Sequence, residues 1–374
     1  MAIRNHSNKI ILGVVALWAL LFLGACTKEQ AEQNSIGFGI AESSGWSAAT
    51  RVGELTTTTL ATSGFGVFAY YTESSTWESA PEVTPDFMNN TRVTSTNNGA
   101  SWNYSPRKYW PHTIDDKVTF FAYAPYMASQ QVDGSQIDYT VPQDVADQVD
   151  LTWSTTSTKN LNRESGTVHF AFQHALARIG FTAIAKSNGT SPLKEGVTVR
   201  IKRVEVGYSS EAINTNGFYT SGTLELDNTK DVALWSNCTG SVSYVLGPAN
   251  YVGQNPLGFE LTQSNTASAQ QLNRNEDYIM VIPQDFSVKG FDVFVEYEVE
   301  LSSKDKVGDG YHVYHSYTNR CVASVKLDLE AAKTYIINIT TDLENASIDD
   351  ISITEWVSGG EVLIQGIVPE IVGG

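Results

Sequence analysis

Few residues in this chain have the types and spacing to do chemistry. His312 and His315 are the nearest approach to a metal pair, but three positions apart on a strand places them on opposite faces. Asp144, Asp147 and Asp150 fall in a loop, without the glycine and closing glutamate of a calcium-binding loop. His174, beside an apolar run, reads as a hydrogen-bonded core or strand-end residue. No glycine-rich phosphate loop, nucleophile elbow or zinc-binding helix occurs. The expectation is therefore a protein with no catalytic residues, no metal site and no cofactor, although loops of a β fold can bring distant residues together.

The chemistry that remains belongs to Cys26. Basic residues Arg4 and Lys9 precede an apolar run over 10–25 that ends in Leu23-Gly24-Ala25-Cys26. The run is short of the ~20 apolar residues of a membrane helix and closes on small residues, the pattern of a secretory signal. With a cysteine at that place it resembles the bacterial lipobox, in which the thiol is acylated, for example with palmitate, and the chain is cut ahead of it. An ordinary signal peptide containing a cysteine is the alternative. Several acyl chains at ~0.8 kcal/mol per buried methylene hold a protein on a membrane without a spanning helix. Residues 1–25 are read as the signal peptide and 26–34 as a polar tether, so the membrane is met through the lipid anchor only. Lys28, Glu29 and Glu32 faintly resemble an acidic signal that sends lipoproteins to the outer surface; a solvated linker explains them equally well.

The 374 residues suffice for two domains, and 41% hydrophobic content is that of a folded chain. The formal net charge of −17 becomes more negative once the signal, which holds basic but no acidic residues, is lost. Such a surface repels nucleic acid and anionic lipid, so no nucleic-acid partner is expected. Cys238 and Cys321 are too sparse for a disulfide scaffold, and whether they pair is left open. Cys321 alternates in phase with Ala323, Val325, Leu327 and Leu329, which favours a buried free thiol.

Period-two alternation dominates. Over 291–301, Phe291, Val293, Val295, Tyr297, Val299 and Leu301 share one face, while Asp292, Glu296, Glu298 and Glu300 share the other. That is an antiparallel strand with one wet face. Similar runs occur at 66–71, 118–123, 137–141, 167–172, 178–184, 197–208, 241–246, 278–282, 311–317, 323–329, 335–340 and 351–354, punctuated by Asn98-Gly99, Asp133-Gly134, Asn188-Gly189 and Asn216-Gly217. The pattern predicts an all-β chain of two sandwiches in series, 35–187 and 188–374, with the boundary in the turn-rich stretch 187–196. A phase switch at Lys202-Arg203 predicts a bulge. The Ser/Thr-rich patches 56–59 and 154–158 read as strand faces or loops.

Five patches carry a resemblance. They are Ala49-Thr50-Arg51-Val52 with Phe65-Gly66-Val67-Phe68-Ala69-Tyr70-Tyr71; Trp102-Asn103-Tyr104-Ser105-Pro106-Arg107-Lys108-Tyr109-Trp110-Pro111; Val118-Thr119-Phe120-Phe121-Ala122-Tyr123-Ala124-Pro125-Tyr126; Phe172-Gln173-His174-Ala175-Leu176-Ala177-Arg178-Ile179; and Thr334-Tyr335-Ile336-Ile337-Asn338-Ile339-Thr340 with Ile351-Ser352-Ile353-Thr354-Glu355-Trp356. In this order behind a lipobox, they resemble the fimbrillin-like lipoproteins, the pilins and pilus-tip proteins of anaerobic Gram-negative bacteria. Read from the residues alone, Phe120 and its neighbours form an aromatic strand apolar on both faces, hence interior. Trp102, Tyr104, Tyr109 and Trp110 read as core aromatics, with a sugar-stacking surface as the alternative.

The resemblance implies transthyretin-like sandwiches in a lipid-anchored precursor on the outer membrane. It further implies cleavage after an arginine near the first strand, here between Arg51 and Val52. Subunits of the family then polymerise when an extended segment of one fills a groove in the next, a β-strand addition. The partners implied are other pilus subunits, and host or bacterial surface ligands. A solvated edge residue is the other reading of Arg51. Residues 361–374 are β-branched between glycine hinges; Val362, Leu363, Ile364, Ile367 and Val368 are the donor-strand candidates, with an ordinary last strand as the alternative. The competing functional class is a monomeric surface lipoprotein binding carbohydrate through exposed aromatics.

Overall fold

The computed structural model describes residues 35–41, 57–80, 84–129, 135–154, 158–188, 190–208, 216–227, 232–274, 277–304, 310–356 and 363–367. Its strands begin with β1 (Phe38–Ile40), β2 (Phe65–Glu73), β3 (Met88–Val93), β4 (Lys117–Ala124), β5 (Gln136–Thr140), β6 (Thr152–Ser154), β7 (Val168–Phe170) and β8 (Phe172–His174). There follow β9 (Ala177–Ala185), β10 (Val197–Gly207), β11 (Ser221–Glu225), β12 (Leu234–Thr239), β13 (Tyr244–Leu246), β14 (Phe259–Thr262), β15 (Gln270–Gln271) and β16 (Ile279–Val281). The last are β17 (Gln284–Asp285), β18 (Phe291–Lys304), β19 (Tyr311–Val325), β20 (Asp328–Leu329), β21 (Lys333–Thr341), β22 (Ala346–Glu355) and β23 (Leu363–Ile367). The all-β expectation holds.

One helix, α1 (Thr57–Ser63), corrects the reading of the Ser/Thr-rich patch at 56–59 as strand or loop. Threonine favours strands only weakly, and here burial of Leu60 and Ala61 decides the outcome. Gly64, at φ +76°, ends the helix in the left-handed region, and its amide donates to the Leu60 carbonyl at 2.8 Å.

The central N-terminal sheet runs β3-β2-β4-β6-β8 and is covered on both faces. Phe65, Val67, Ala69, Phe120 and Ala122 enter one hydrophobic cluster; Phe68, Tyr70, Phe121, Tyr123 and Trp153 enter another. Two-sided burial of an aromatic strand is what the 118–126 sequence predicts. The second cluster also takes the inward residues of the sheet β12-β11-β5, whose β5 and β11 come from opposite halves of the chain.

The C-terminal residues build two larger sheets. One runs β13-β10-β18-β19, with β14 also on β10; the other runs β15-β9-β21-β22-β23, with β16 also on β9. Their inward residues, Val199, Ile201, Val293 and Tyr297 from one and Ile179, Phe181, Tyr335 and Ile351 from the other, share one cluster. The wet face of the first is laced by Arg200 with Glu260 and Glu300, Lys202 with Glu298, and Arg320 with Glu296. The ladder slips at Lys202, where Ile201 opposes Tyr297 and Arg203 opposes Glu296, the bulge expected from the phase switch. The change of sheet falls between β8 and β9, at Ala175 and Leu176, since β9 pairs only with strands that follow it.

Cys238 and Cys321 are both free thiols and both partly buried. The Ala346 amide donates to Cys321 Sγ at 3.1 Å. Burial pushes both thiols up from their ordinary value.

Candidate functional site

Residues 35–41 lie in a slot of the N-terminal half. Isoleucine, phenylalanine and isoleucine alternate with glycine there, so one face of the strand is apolar and the other nearly bare. On one side β1 pairs in parallel with β7, Phe38 opposite Val168 and Ile40 opposite Phe170. The Val168 amide donates to the Gly37 carbonyl, and the Ala41 amide to the Phe170 carbonyl, each at 2.9 Å. On the other side the Ile36 amide donates to the Lys108 carbonyl at 3.0 Å, and Ser35 bridges Tyr109. The segment is thus hydrogen-bonded along its length to β7 and, on its other edge, at its first two residues.

Its side chains are the plug. Ile36 and Phe38 are 2% and 5% exposed. The Phe38 ring lies 5.0 Å from Tyr104, 5.5 Å from Phe170, 6.0 Å from Phe120 and 6.5 Å from Phe65, centroid to centroid. Those separations are the offset and edge-on contacts that aromatic rings favour. Tyr104 closes the slot by donating its hydroxyl to the Ile36 carbonyl at 2.8 Å, and burial pushes its phenol up. A groove of about 580 Å³ runs along the outer side, lined by Gly37, Gly39, Ala41, Trp102 and His169 among others.

The four aromatics weighed as a sugar platform divide on this geometry. Trp102 and Trp110 are buried, the first 5.1 Å from Phe65 and the second 5.8 Å from Phe120, with the Trp110 indole donating to the Gly166 carbonyl. Tyr104 is engaged with residue 36, and Tyr109 alone of the four is exposed, at 49%. They are slot walls and core.

Other singled-out residues fall elsewhere. Asp144 caps a short 3-10 turn by accepting from the Ala146 amide, and buried Asp150 meets His174 Nδ1 at 2.9 Å. Buried His174 also stacks on Trp356, making it the hydrogen-bonded core residue expected. His312 and His315 oppose Ser303 and Leu301, which are two apart, because the ladder slips at Tyr314. The extra residue resets the alternation and puts both histidines on one side, correcting the opposite-face reading. Among the described residues no group of three or more His, Cys, Asp or Glu is placed to hold a metal.

Of the donor-strand candidates, Leu363, Ile364 and Ile367 fall in β23, an edge strand antiparallel to β22, with Ile351 opposite Ile367. Cys26, Arg51, Val52, Val362 and Val368 lie outside the described residues. Sequence reasoning did not single out Ile36, Phe38 and Ile40. Their signal was the strict apolar–glycine alternation over 36–40.

Comparison with known proteins agrees with this architecture. The chain is similar to the fimbrium subunit Fim1C of Phocaeicola vulgatus, 39% identical over 152 residues, which is 35% of this chain and 39% of that one. It therefore spans about two fifths of the length of the curated relative it matches. A crystal structure of a fimbrial protein from Bacteroides vulgatus superposes with a TM-score of 0.67 at 20% identity, covering 87% of this chain and all of that one, a likeness of fold. The fimbrillin-like family model matches residues 50–356, most of the sequence including both large C-terminal sheets apart from β23, and the chain belongs to that family.

Proposed function

We propose that this chain is a subunit of a surface pilus, structural rather than catalytic, and that it joins its neighbours by β-strand exchange. In this reading Cys26 carries the lipid that brings the precursor to the outer membrane. Cleavage between Arg51 and Val52 then frees the segment that fills the slot. The single observation that carries the reading is the plug itself: residues 35–41 lie N-terminal to Arg51, yet they pair along β7, bond Lys108 through Ile36, and bury Ile36 and Phe38. Losing them uncovers the walls formed by Phe65, Tyr104, Phe120 and Phe170 together with unpaired strand edges, a surface that demands a replacement strand. The family match supports the same division, since its span of 50–356 leaves both the plug and β23 outside the matched body.

The tail is the natural donor. Residues 361–374 follow Trp356, and β23 touches the described fold as the outermost strand of its sheet. The test is electrophoresis, with and without boiling, of surface material from the producing bacterium, probed for this chain and sequenced from its N-terminus. A heat-sensitive ladder together with an N-terminus at Val52 is the expected result. A single band of precursor mass in both lanes, with residues 35–41 still attached, would sink the reading.

A further inference from the structure

We infer that the slot is shaped for a strand with a large aromatic side chain at its centre, and therefore for the donor of a different subunit and not for the tail of a second copy of this chain. The inference rests on the strand-exchange reading above and adds the identity of the partner.

The present occupant defines three inward sites and two outward ones. The inward sites hold Ile36, Phe38 and Ile40; the central one is ringed by Phe65, Tyr104, Phe120 and Phe170 at 5.0–6.5 Å between centroids. A well-packed pocket of this size loses contacts on every wall when a smaller side chain enters it. The outward sites hold Gly37 and Gly39. A Cβ at Gly39 would sit 2.7 Å from the His169 ring, and one at Gly37 would sit 3.3 Å from Thr167 Oγ1. The slot thus reads apolar, aromatic, apolar on its inward face, while the outward neighbours Thr167 and His169 are exposed side chains that a larger residue would displace.

The chain's own tail does not supply that pattern. Residues 361–374 contain no aromatic side chain. Every third-of-five choice of alternating residues places a Gly, Gln, Glu or Pro at an inward site, whichever way the strand runs. With Val362, Ile364 and Gly366 inward, isoleucine underfills the ring of four aromatic side chains and glycine leaves the site of Ile40 empty. With Leu363, Gln365 and Ile367 inward, an amide fills the aromatic pocket. With Ile364, Gly366 and Val368 inward, the pocket is empty. A buried amide without partners and an empty aromatic cavity are both strongly unfavourable.

The experiment uses the full chain from residue 26 with a specific protease site built in at Arg51. After cutting, three labelled peptides are offered: one with the sequence of residues 35–41, one in which its phenylalanine is alanine, and one with the sequence of residues 361–374. Exchange is read by fluorescence anisotropy and by loss of the original N-terminal fragment. The expected result is that the phenylalanine peptide replaces the fragment, that the alanine peptide binds at least tenfold more weakly, and that the tail peptide does no better than the alanine one. Cut protein alone should then stay monomeric on unboiled gels. Equal binding of tail and phenylalanine peptides, or a self-made ladder, overturns the selectivity while leaving strand exchange intact. A cut chain that exchanges no peptide and keeps its fragment overturns strand exchange and the inference with it.

Discussion

Trp356 lies flat on His174, with ring centroids 4.1 Å apart and planes 8° from parallel. The contact joins the end of β22 to the end of β8, two strands from sheets built by opposite ends of the chain. The Arg178 guanidinium lies 4.7 Å from the Trp356 ring centroid and 4.7 Å from that of Tyr278, while its Nε donates to Thr334 Oγ1. A cation over an aromatic face gains strength where water is excluded, and Arg178 is 2% exposed. Trp356→Ala should therefore cost about 3–5 kcal/mol, the range for deleting a large buried aromatic. Urea unfolding followed by far-ultraviolet circular dichroism measures it. A loss under about 1 kcal/mol would mean the two halves do not depend on this joint.

Tyr104 offers a test of how firmly the plug is held. Its hydroxyl donates to the Ile36 carbonyl and accepts from the Lys108 amide at 3.2 Å, bonds that Tyr104→Phe removes while leaving the ring against Phe38. A neutral hydrogen bond of this kind contributes about 1 kcal/mol. Hydrogen exchange at the Ile36 and Ala41 amides should accelerate roughly fivefold, with little change at the β9 and β21 amides. Unchanged exchange at Ile36 would show that the backbone bonds to Lys108 and β7 hold the segment without Tyr104.

What the sequence reveals, and what it conceals, follows from range. The bulge at Lys202 and the turn at Asn98-Gly99, where both residues have positive φ, are written in a few neighbouring residues. The two-sided burial of β4 is equally local, since Phe120 and Phe121 announce both faces. By contrast β12, Leu-Trp-Ser-Asn-Cys-Thr, is polar, nowhere fully buried and carries no clean alternation, so its pairing with β11 is visible only in the fold. The slot is legible in part. Alternation at 36–40 marks a strand, but its walls come from residues 65, 104, 120 and 170, and nothing local says that those positions converge.

Several tyrosines make the fold sensitive to alkali. Burial pushes the phenols of Tyr123 and Tyr244 up to about 12. Tyr139, Tyr251, Tyr297 and Tyr335 are raised by the same desolvation. Unfolded tyrosines ionise near pH 10, so above that value the unfolded chain sheds protons that the folded one keeps. Stability is fully present below about pH 10 and falls as pH rises from there toward 12, by about 1.4 kcal/mol per pH unit for each such group. Tyrosinate absorbance and unfolding should therefore rise together. Tyrosinate absorbance from all the tyrosines appearing before any loss of circular dichroism would contradict this coupling.

Removing the tail separates a donor strand from a core strand. β23 pairs only with β22 and ends its sheet, whereas Trp356 just before it is buried and its amide donates to the Ala332 carbonyl at 2.7 Å. A chain ending at Val357 keeps that anchor and gives up one edge strand. Such a loss is expected to lower Tm at about 2–4 °C per kcal/mol while unfolding stays cooperative. In the producing bacterium the shortened subunit should still receive a strand in its slot and should still mature at Val52. It should fail to donate, so the heat-sensitive ladder should end at bands that contain this chain at one terminus. Collapse of the β-sheet signal in the shortened protein would assign residues 363–367 to the core instead, and the donor would have to be sought in another part of the chain.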